Sequence, residues 1–228
     1  PSIVFADADF DAAIEGTVRS VFANCGQVCL CSERVYVERP IFDKFVSTLK
    51  EKAEAMTLGR PEDADTQMGP LISHEHRDKV KGYYDLAKEL GAEVITGGGI
   101  PEFGDERDGG AFVEPTIFTG LGEDSRIQKE EIFGPVLTMI PYDTEEEAVA
   151  IANDTEYGLA AYIQSGNVDR ARKVASRLRA GNVHLNGASG GMDLPFGGYK
   201  QSGNGREWGS HGFTDYLELK AVSGYEDA

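Results

Sequence analysis

Three cysteines, Cys25, Cys29 and Cys31, fall within seven residues. Their segment, Asn24-Cys25-Gly26-Gln27-Val28-Cys29, sets thiols beside two glycine-spaced amide side chains. A thiolate is the nucleophilic form of cysteine. An ordinary thiol, pKa ~8.5, is only a few per cent ionised at neutral pH, so its site must activate it. The spacing Cys-x3-Cys-x-Cys fits none of the usual zinc patterns. On its own, Cys29 reads first as a buried small hydrophobe, the commoner fate of a free cysteine. Cys31 is close enough to trap Cys29 as a disulfide on oxidation.

The elements around the thiols must hold them in place. Asp7 or Asp9 can cap a helix in which Phe10, Ile14, Val18 and Val21/Phe22 recur at helical spacing. Gly26 ends that pattern, which puts Cys29 on a connection where a reactive group can meet a substrate. Glu33 to Glu38 alternates as a strand. Pro40 suits the first turn of a helix with Phe42, Phe45/Val46 and Leu49 on its apolar face. Leu58 to Pro70 reads as loop. Ser73 caps a helix lined by Val80, Tyr83/Tyr84, Ala87 and Leu90, and Gly91 stops it. Val94 to Thr96 is a short strand, Gly97 to Gly110 a glycine-rich loop, and Ala111 to Ile117 extended, with Pro115 at an edge or bend.

The second half alternates more regularly. Val136 to Ile140 is a buried strand, Thr144 with Glu147 a capping box for a helix to Ala152, and Leu159 to Gln164 a strand. Asn167 caps a helix to Leu178, and Gly181 to Leu185 is a strand. Strand and helix alternating over short connections predict an α/β fold: an open, mostly parallel twisted sheet flanked by helices. Asp215 to Val222 alternates as an isolated strand, which must pair or be blocked.

With 228 residues and 40% hydrophobic content, the chain can build a real core. A net charge of −17 argues against nucleic acid and against anionic membrane surfaces as partners. No apolar run approaches the ~20 residues of a membrane helix. The amino end has no basic start, so it does not read as a signal peptide. An odd number of clustered cysteines suits a reducing cytoplasm. His74 and His76 are close in sequence, but histidines on a helix are usually solvated or packed rather than metal-bound, and no metal is expected. Gly197-Gly198 and Gly203-x-Gly205 do not follow a strand and open a helix, so they form no phosphate cradle.

Six segments in order resemble the aldehyde dehydrogenase superfamily. They are Phe22-x-Asn24-x-Gly26-Gln27-x-Cys29, Gly69-Pro70-Leu71-Ile72, Val113-Glu114-Pro115-Thr116, Glu130-Glu131-Ile132-Phe133-Gly134-Pro135, Pro195-Phe196-Gly197-Gly198-Tyr199-Lys200-Gln201-Ser202-Gly203, and Gly205-Arg206-Glu207. Cys29 to Val46 looks especially like muconic semialdehyde dehydrogenases, and Pro195 to Val222 more like general aldehyde and betaine-aldehyde types.

The resemblance implies that Cys29 is the nucleophile of an NAD(P)-dependent oxidation of an aldehyde to a carboxylic acid, through a thiohemiacetal and a thioester. Its own N–H would supply one oxyanion donor. By the same resemblance Glu131 binds the nicotinamide ribose, Phe133 packs beside the nicotinamide, and Lys79 and His76 fall where relatives contact the adenine ribose. Phe196 would stand at the mouth of the aldehyde tunnel, with the small residues of Asn186 to Leu194 lining it, and Glu207 would belong to a proton path or pair with Arg206. Gly197-Gly198 and Gly203-x-Gly205 would shape a tight turn needing positive φ. The family's organisation implies a catalytic domain over 1–205 and a segment over 206–228 carrying an oligomerisation strand that pairs with another subunit. It also implies that the family's preceding Rossmann-type cofactor domain, its general-base glutamate and its oxyanion asparagine lie outside this sequence, which leaves the isolated chain inactive. A non-catalytic structural or regulatory protein keeping the fold, and a cysteine hydrolase using His184 or His211, are the alternative readings. Which aldehyde is oxidised, and whether NAD or NADP is used, stay open.

Overall fold

The structure is a computed structural model and describes residues 1–224. Seven strands form one sheet: β1 (Ser2–Val4), β2 (Arg34–Glu38), β3 (Glu93–Thr96), β4 (Thr116–Thr119), β5 (Val136–Tyr142), β6 (Ala160–Gln164) and β7 (Asn182–Leu185). Their order is β3-β4-β5-β2-β1-β6-β7. Every neighbouring pair is parallel except β3 with β4 at one edge. The expected α/β architecture with a mostly parallel sheet is therefore present.

Alternation along the central strands divides two cores. Ile3, Phe5 and Tyr36 face α5 (Glu145–Asn153) and α6 (Val168–Ala175), packing with Ala148, Ile151 and Val174. Val4, Val35 and Val37 face α1 (Phe10–Phe22) and α2 (Phe42–Glu54), with Ile14, Phe22, Phe45 and Leu49. Parallel strands covered on both faces are apolar on both, as this sheet is. A third core joins α3 (His74–Glu89) to Phe118, Val136 and the thiol of Cys25. A short α4 (Arg126–Lys129) precedes the segment of Glu131 and Phe133.

The caps follow the sequence with one resolution and one variation. Asp9, not Asp7, caps α1 by accepting from the Ala12 N–H, while Asp7 pairs with Arg170. Thr144 accepts from the Glu147 N–H at 3.2 Å, but Glu147 reaches back to the Asp143 N–H rather than to that of Thr144.

One strand was not anticipated, and three expectations need correction. Ser2–Val4 is a strand at the middle of the sheet, too short to show a period of its own. Helix α6 ends at Ala175, because Arg177 and Leu178 turn back to Val174 and Ala175 in tighter three-residue bonds. Asp215 and Tyr216 lie in a 3-10 turn (His211–Tyr216), not a strand. Among the described residues Leu217 to Gly224 joins no strand, and Leu219 and Val222 are 93% and 81% exposed. Finally, Gly203 has the expected positive φ, 94°, but Gly197, Gly198 and Gly205 do not. They are needed for close approach, since a Cβ on Gly197 would stand 2.2 Å from the Gly205 carbonyl oxygen. The expected terminal segment extends through 225–228, which lie outside the described residues.

Candidate active site

The segment after α1 is held in an unfavourable backbone conformation. Asn24, Cys25 and Gly26 have φ of 49°, 59° and 72°. Left-handed residues in succession persist only where the surroundings over-determine them. Here the anchors are side chains of the motif itself. Asn24 Nδ2 donates to the Gln27 carbonyl at 3.2 Å, Cys25 Sγ donates to the Gly69 carbonyl at 3.1 Å, and Gln27 Oε1 accepts from the Ile72 N–H at 3.0 Å. The Gly69-Pro70-Leu71-Ile72 motif is thus a brace for the cysteine turn. Gly26 supplies the closest contact: a Cβ there would stand 1.9 Å from the Gly134 carbonyl oxygen.

That contact joins the cysteine turn to the segment of Glu131 and Phe133. Phe133 also has positive φ, 62°. Its N–H donates to Glu33 Oε1 at 2.7 Å, and the Ile132 N–H donates to Glu33 Oε2 at 3.0 Å. His76 Nε2 donates to the Phe133 carbonyl at 2.6 Å, and Lys79 Nζ donates to the Glu131 carbonyl at 3.3 Å. Burial pushes the Glu33 carboxyl up to about 7, against the two amides that favour its ionised form. Nothing in the motif Glu-x-Phe-Gly-Pro points to Glu33; the tie runs across 100 residues of sequence.

Cys29, Glu131 and Phe133 line one cavity of about 300 Å³. The Cys29 thiol is exposed to it, and its backbone N–H makes no hydrogen bond among the described residues. The Glu131 carboxylate is exposed and free of partners among those residues as well. Gln128 lines the same cavity with its amide nitrogen and oxygen buried and unpartnered by protein groups. Its charged sequence neighbours gave no hint of that burial. The other two thiols differ from Cys29. Cys25 is buried and its pKa is raised by desolvation; burial lifts Cys31 to about 11.

A second cavity, about 520 Å³, adjoins the cysteine turn, and Val28 and Cys31 line both. Gly187, Ala188, Ser189 and Gly190 of the loop before Phe196 line it, with Arg19 and His184. Phe196 lines neither cavity. It stacks on Trp208 with ring centroids 5.0 Å apart, and its N–H and carbonyl exchange 2.7 Å bonds with Glu207. Glu207 is tied through its backbone rather than to Arg206, whose guanidinium donates to the carbonyls of Gly198 and Gly205, 2.8 Å each. His184 stacks on Tyr162, and neither it nor His211 lines the cavity of Cys29. No group of three or more His, Cys, Asp or Glu side chains that could hold a metal ion occurs among the described residues. No helix among them is long and apolar enough to cross a membrane.

Residues 1–222 match the sequence profile of the Aldehyde dehydrogenase family. The chain belongs to the aldehyde dehydrogenase family. Among its relatives, this aldehyde dehydrogenase chain is 55% identical to a 2-hydroxymuconic semialdehyde dehydrogenase of Pseudomonas putida over 96% of its length and 46% of the relative's. It is 51% identical to a 2-aminomuconic 6-semialdehyde dehydrogenase of a Pseudomonas species, over 97% and 45%. Among solved structures, betaine aldehyde dehydrogenase of Staphylococcus aureus in complex with NAD+ superposes with a TM-score of 0.92 at 43% identity, covering 96% of this chain and 43% of that one. The chain therefore spans a little under half the length of these family members.

Proposed function

We propose that this chain carries the thiol chemistry of an NAD(P)-linked aldehyde dehydrogenase, with Cys29 as nucleophile. The observation behind the proposal is the meeting of Cys29, Glu131 and Phe133 around one cavity, although over a hundred residues separate the thiol from the other two. The Cys29 thiolate attacks the aldehyde carbon, forming an S–C bond and moving the carbonyl electron pair onto oxygen. The free N–H of Cys29 is a donor available to that oxyanion. Collapse of the thiohemiacetal expels the carbon-bound hydrogen with its electron pair. Water then displaces the thiolate from the thioester to leave a carboxylic acid. The aldehyde is oxidised by two electrons.

The residues present fit a nicotinamide dinucleotide. An unpartnered carboxylate accepts two ribose hydroxyls, and an aromatic ring supports a flat heterocycle. Glu131 and Phe133 would hold it, and when bound it accepts the hydride. Glu33, His76 and Lys79 grip the backbone on which those two side chains stand, so their part is positioning. The second cavity, across Val28 and Cys31, offers the aldehyde a separate approach to the turn. Phe196 packs tilted against Trp208 and is not among the residues lining either cavity. The unpaired Leu217 to Gly224 segment fits the expectation of pairing with a second copy of the chain.

The test is Cys29→Ser in the enzyme that carries this chain, followed by NADH or NADPH formation from an aldehyde. Loss of at least ~100-fold in kcat is expected where a nucleophile is removed. Retention of most of the activity would overturn the proposal. Trapping an acyl-enzyme and mapping its peptide to Cys29 is the complementary readout.

A further inference from the structure

The charged side chains that line the cavity of Cys29 and Phe133 are Glu33, Arg34, Lys129, Glu130 and Glu131. Glu130 pairs with Arg126 and accepts from the Tyr83 hydroxyl, and Lys129 pairs with Asp154. Arg34 donates to the Tyr36 hydroxyl. Glu33 stands apart from these. Its carboxylate accepts the N–H groups of Ile132 and Phe133, and it makes no ion pair among the described residues. A carboxylate taken out of water without a cation beside it is costly.

The groups that face Glu33 supply little counter-charge. Beside it on its own segment stand Cys31, a thiol held protonated at neutral pH, and Arg34, which is turned to Tyr36. From the segment after α4, Glu131 adds a like charge. From α3 come Lys79, whose Nζ donates to the Glu131 carbonyl, and the neutral phenols Tyr83 and Tyr84. His76, also on α3, meets the Phe133 ring edge-on with centroids 6.3 Å apart. Burial holds the Pro1 amine down at about 4, so it is neutral. Burial also holds the Glu33 carboxyl up at about 7, which leaves it half protonated at neutral pH.

A nicotinamide ring carries positive charge in its oxidised form and none in its reduced form. We propose that Glu33 is the counter-charge of an oxidised nicotinamide ring held against Phe133: its carboxyl ionises when the cationic ring binds and stays largely protonated when the ring is neutral. The inference rests on the reading above of Glu131 and Phe133 as the residues that hold the dinucleotide. In this step the O–H bond of the Glu33 carboxyl breaks and the proton passes to solvent; no electron moves at Glu33. An approaching cation favours the charged form of a carboxyl. By linkage, the oxidised dinucleotide then binds more tightly where Glu33 is already ionised. A purely structural Glu33 would hold the two amides alike whichever redox form is bound.

The test is proton release on binding, measured by calorimetry in the enzyme that carries this chain. A Cys29→Ser background keeps the thiol from contributing a proton. NAD(P)+ and NAD(P)H are each titrated at pH 7 in two buffers of different ionisation heat. The oxidised form is expected to release about half a proton and the reduced form much less. The Kd of the oxidised form is expected to fall about fivefold from pH 6 to pH 8, with little change for the reduced form. Adding Glu33→Gln, which keeps an acceptor oxygen for the amides, is expected to abolish both effects, which rules out His76 as the source. Glu33→Asp, which keeps the charge, is expected to retain part of the release. Equal release by the two redox forms, or none, overturns the proposal without any variant at Glu33. Release that survives Glu33→Gln also overturns it and leaves the cofactor reading standing. Binding of neither form sinks the cofactor reading and the proposal with it.

Discussion

The carboxylate of Glu33 receives the N–H of Phe133 at 2.7 Å, joining the start of β2 to the aromatic residue that lines one cavity with Cys29. Glu33 is also fixed through its carbonyl, which accepts from the Thr138 N–H at 2.9 Å. The strand edge thus sets where Phe133 and Glu131 stand relative to Cys29. Removing the acceptor leaves two buried amides without partners. Glu33→Ala is expected to destabilise the chain by roughly 2–4 kcal/mol. Chemical denaturation checks the magnitude, and loss of NAD(P) affinity beyond the loss of fold checks the positioning role. Full retention of both would show that the tie is incidental.

The same carboxyl makes stability depend on pH. Its folded pKa, about 7, lies above the ordinary 4.5 because burial disfavours the charge. Between those values the folded chain keeps a proton that the unfolded chain has released. Stability therefore falls as pH rises through that window and levels off above it, by roughly 3 kcal/mol in all. Taking the difference between wild type and Glu33→Gln at each pH isolates this group from the paired surface acids. A flat difference from pH 4 to 8 would contradict the assignment.

Thiol labelling separates the three cysteines. Cys29 is exposed, Cys25 is buried and donates to Gly69, and Cys31 is held at a pKa of about 11. Iodoacetamide at neutral pH is expected to modify Cys29 at least ~10 times faster than either neighbour. Peptide mapping with Cys25 or Cys31 modified first would count against Cys29 as the reactive thiol.

The contact between the two site segments is tested at Gly26. An alanine there would need positive φ and would set its Cβ 1.9 Å from the Gly134 oxygen. Gly26→Ala is expected to cost about 3 kcal/mol or more and to lower Cys29 labelling selectivity, because the turn must move away from Gly134. Gly82→Ala, in α3 and with open space around its Cβ, serves as the control and is expected to be neutral or slightly stabilising. Equal stability of both variants would mean that the close approach does not hold the segments together.

Much of the fold was legible because its signals are local. The period of α1, the Ser73 and Asn167 caps and the apolar run of β5 each lie within one element, and each element starts where expected, although α6 stops at Ala175 rather than Leu178. Strand β1 was not legible. Three residues cannot display a period, and only neighbours on both sides make them a strand. Leu217 to Gly224 fails in the opposite sense: alternation marks an extended segment, but a ladder needs a partner strand, and the described residues supply none.

The sequence by itself determined the family, the helices and strands that flank the thiols, and the residue types suited to covalent aldehyde chemistry. These follow from short-range patterns and ordered motifs. Only the tertiary structure decided that Cys29 lines one cavity with Glu131 and Phe133 while Cys25 packs into a core, that Phe196 packs against Trp208, and that Arg19 meets no carboxylate among the described residues. Each of those depends on which side chains long-range packing brings within a few ångströms, and spacing along the chain carries no record of that.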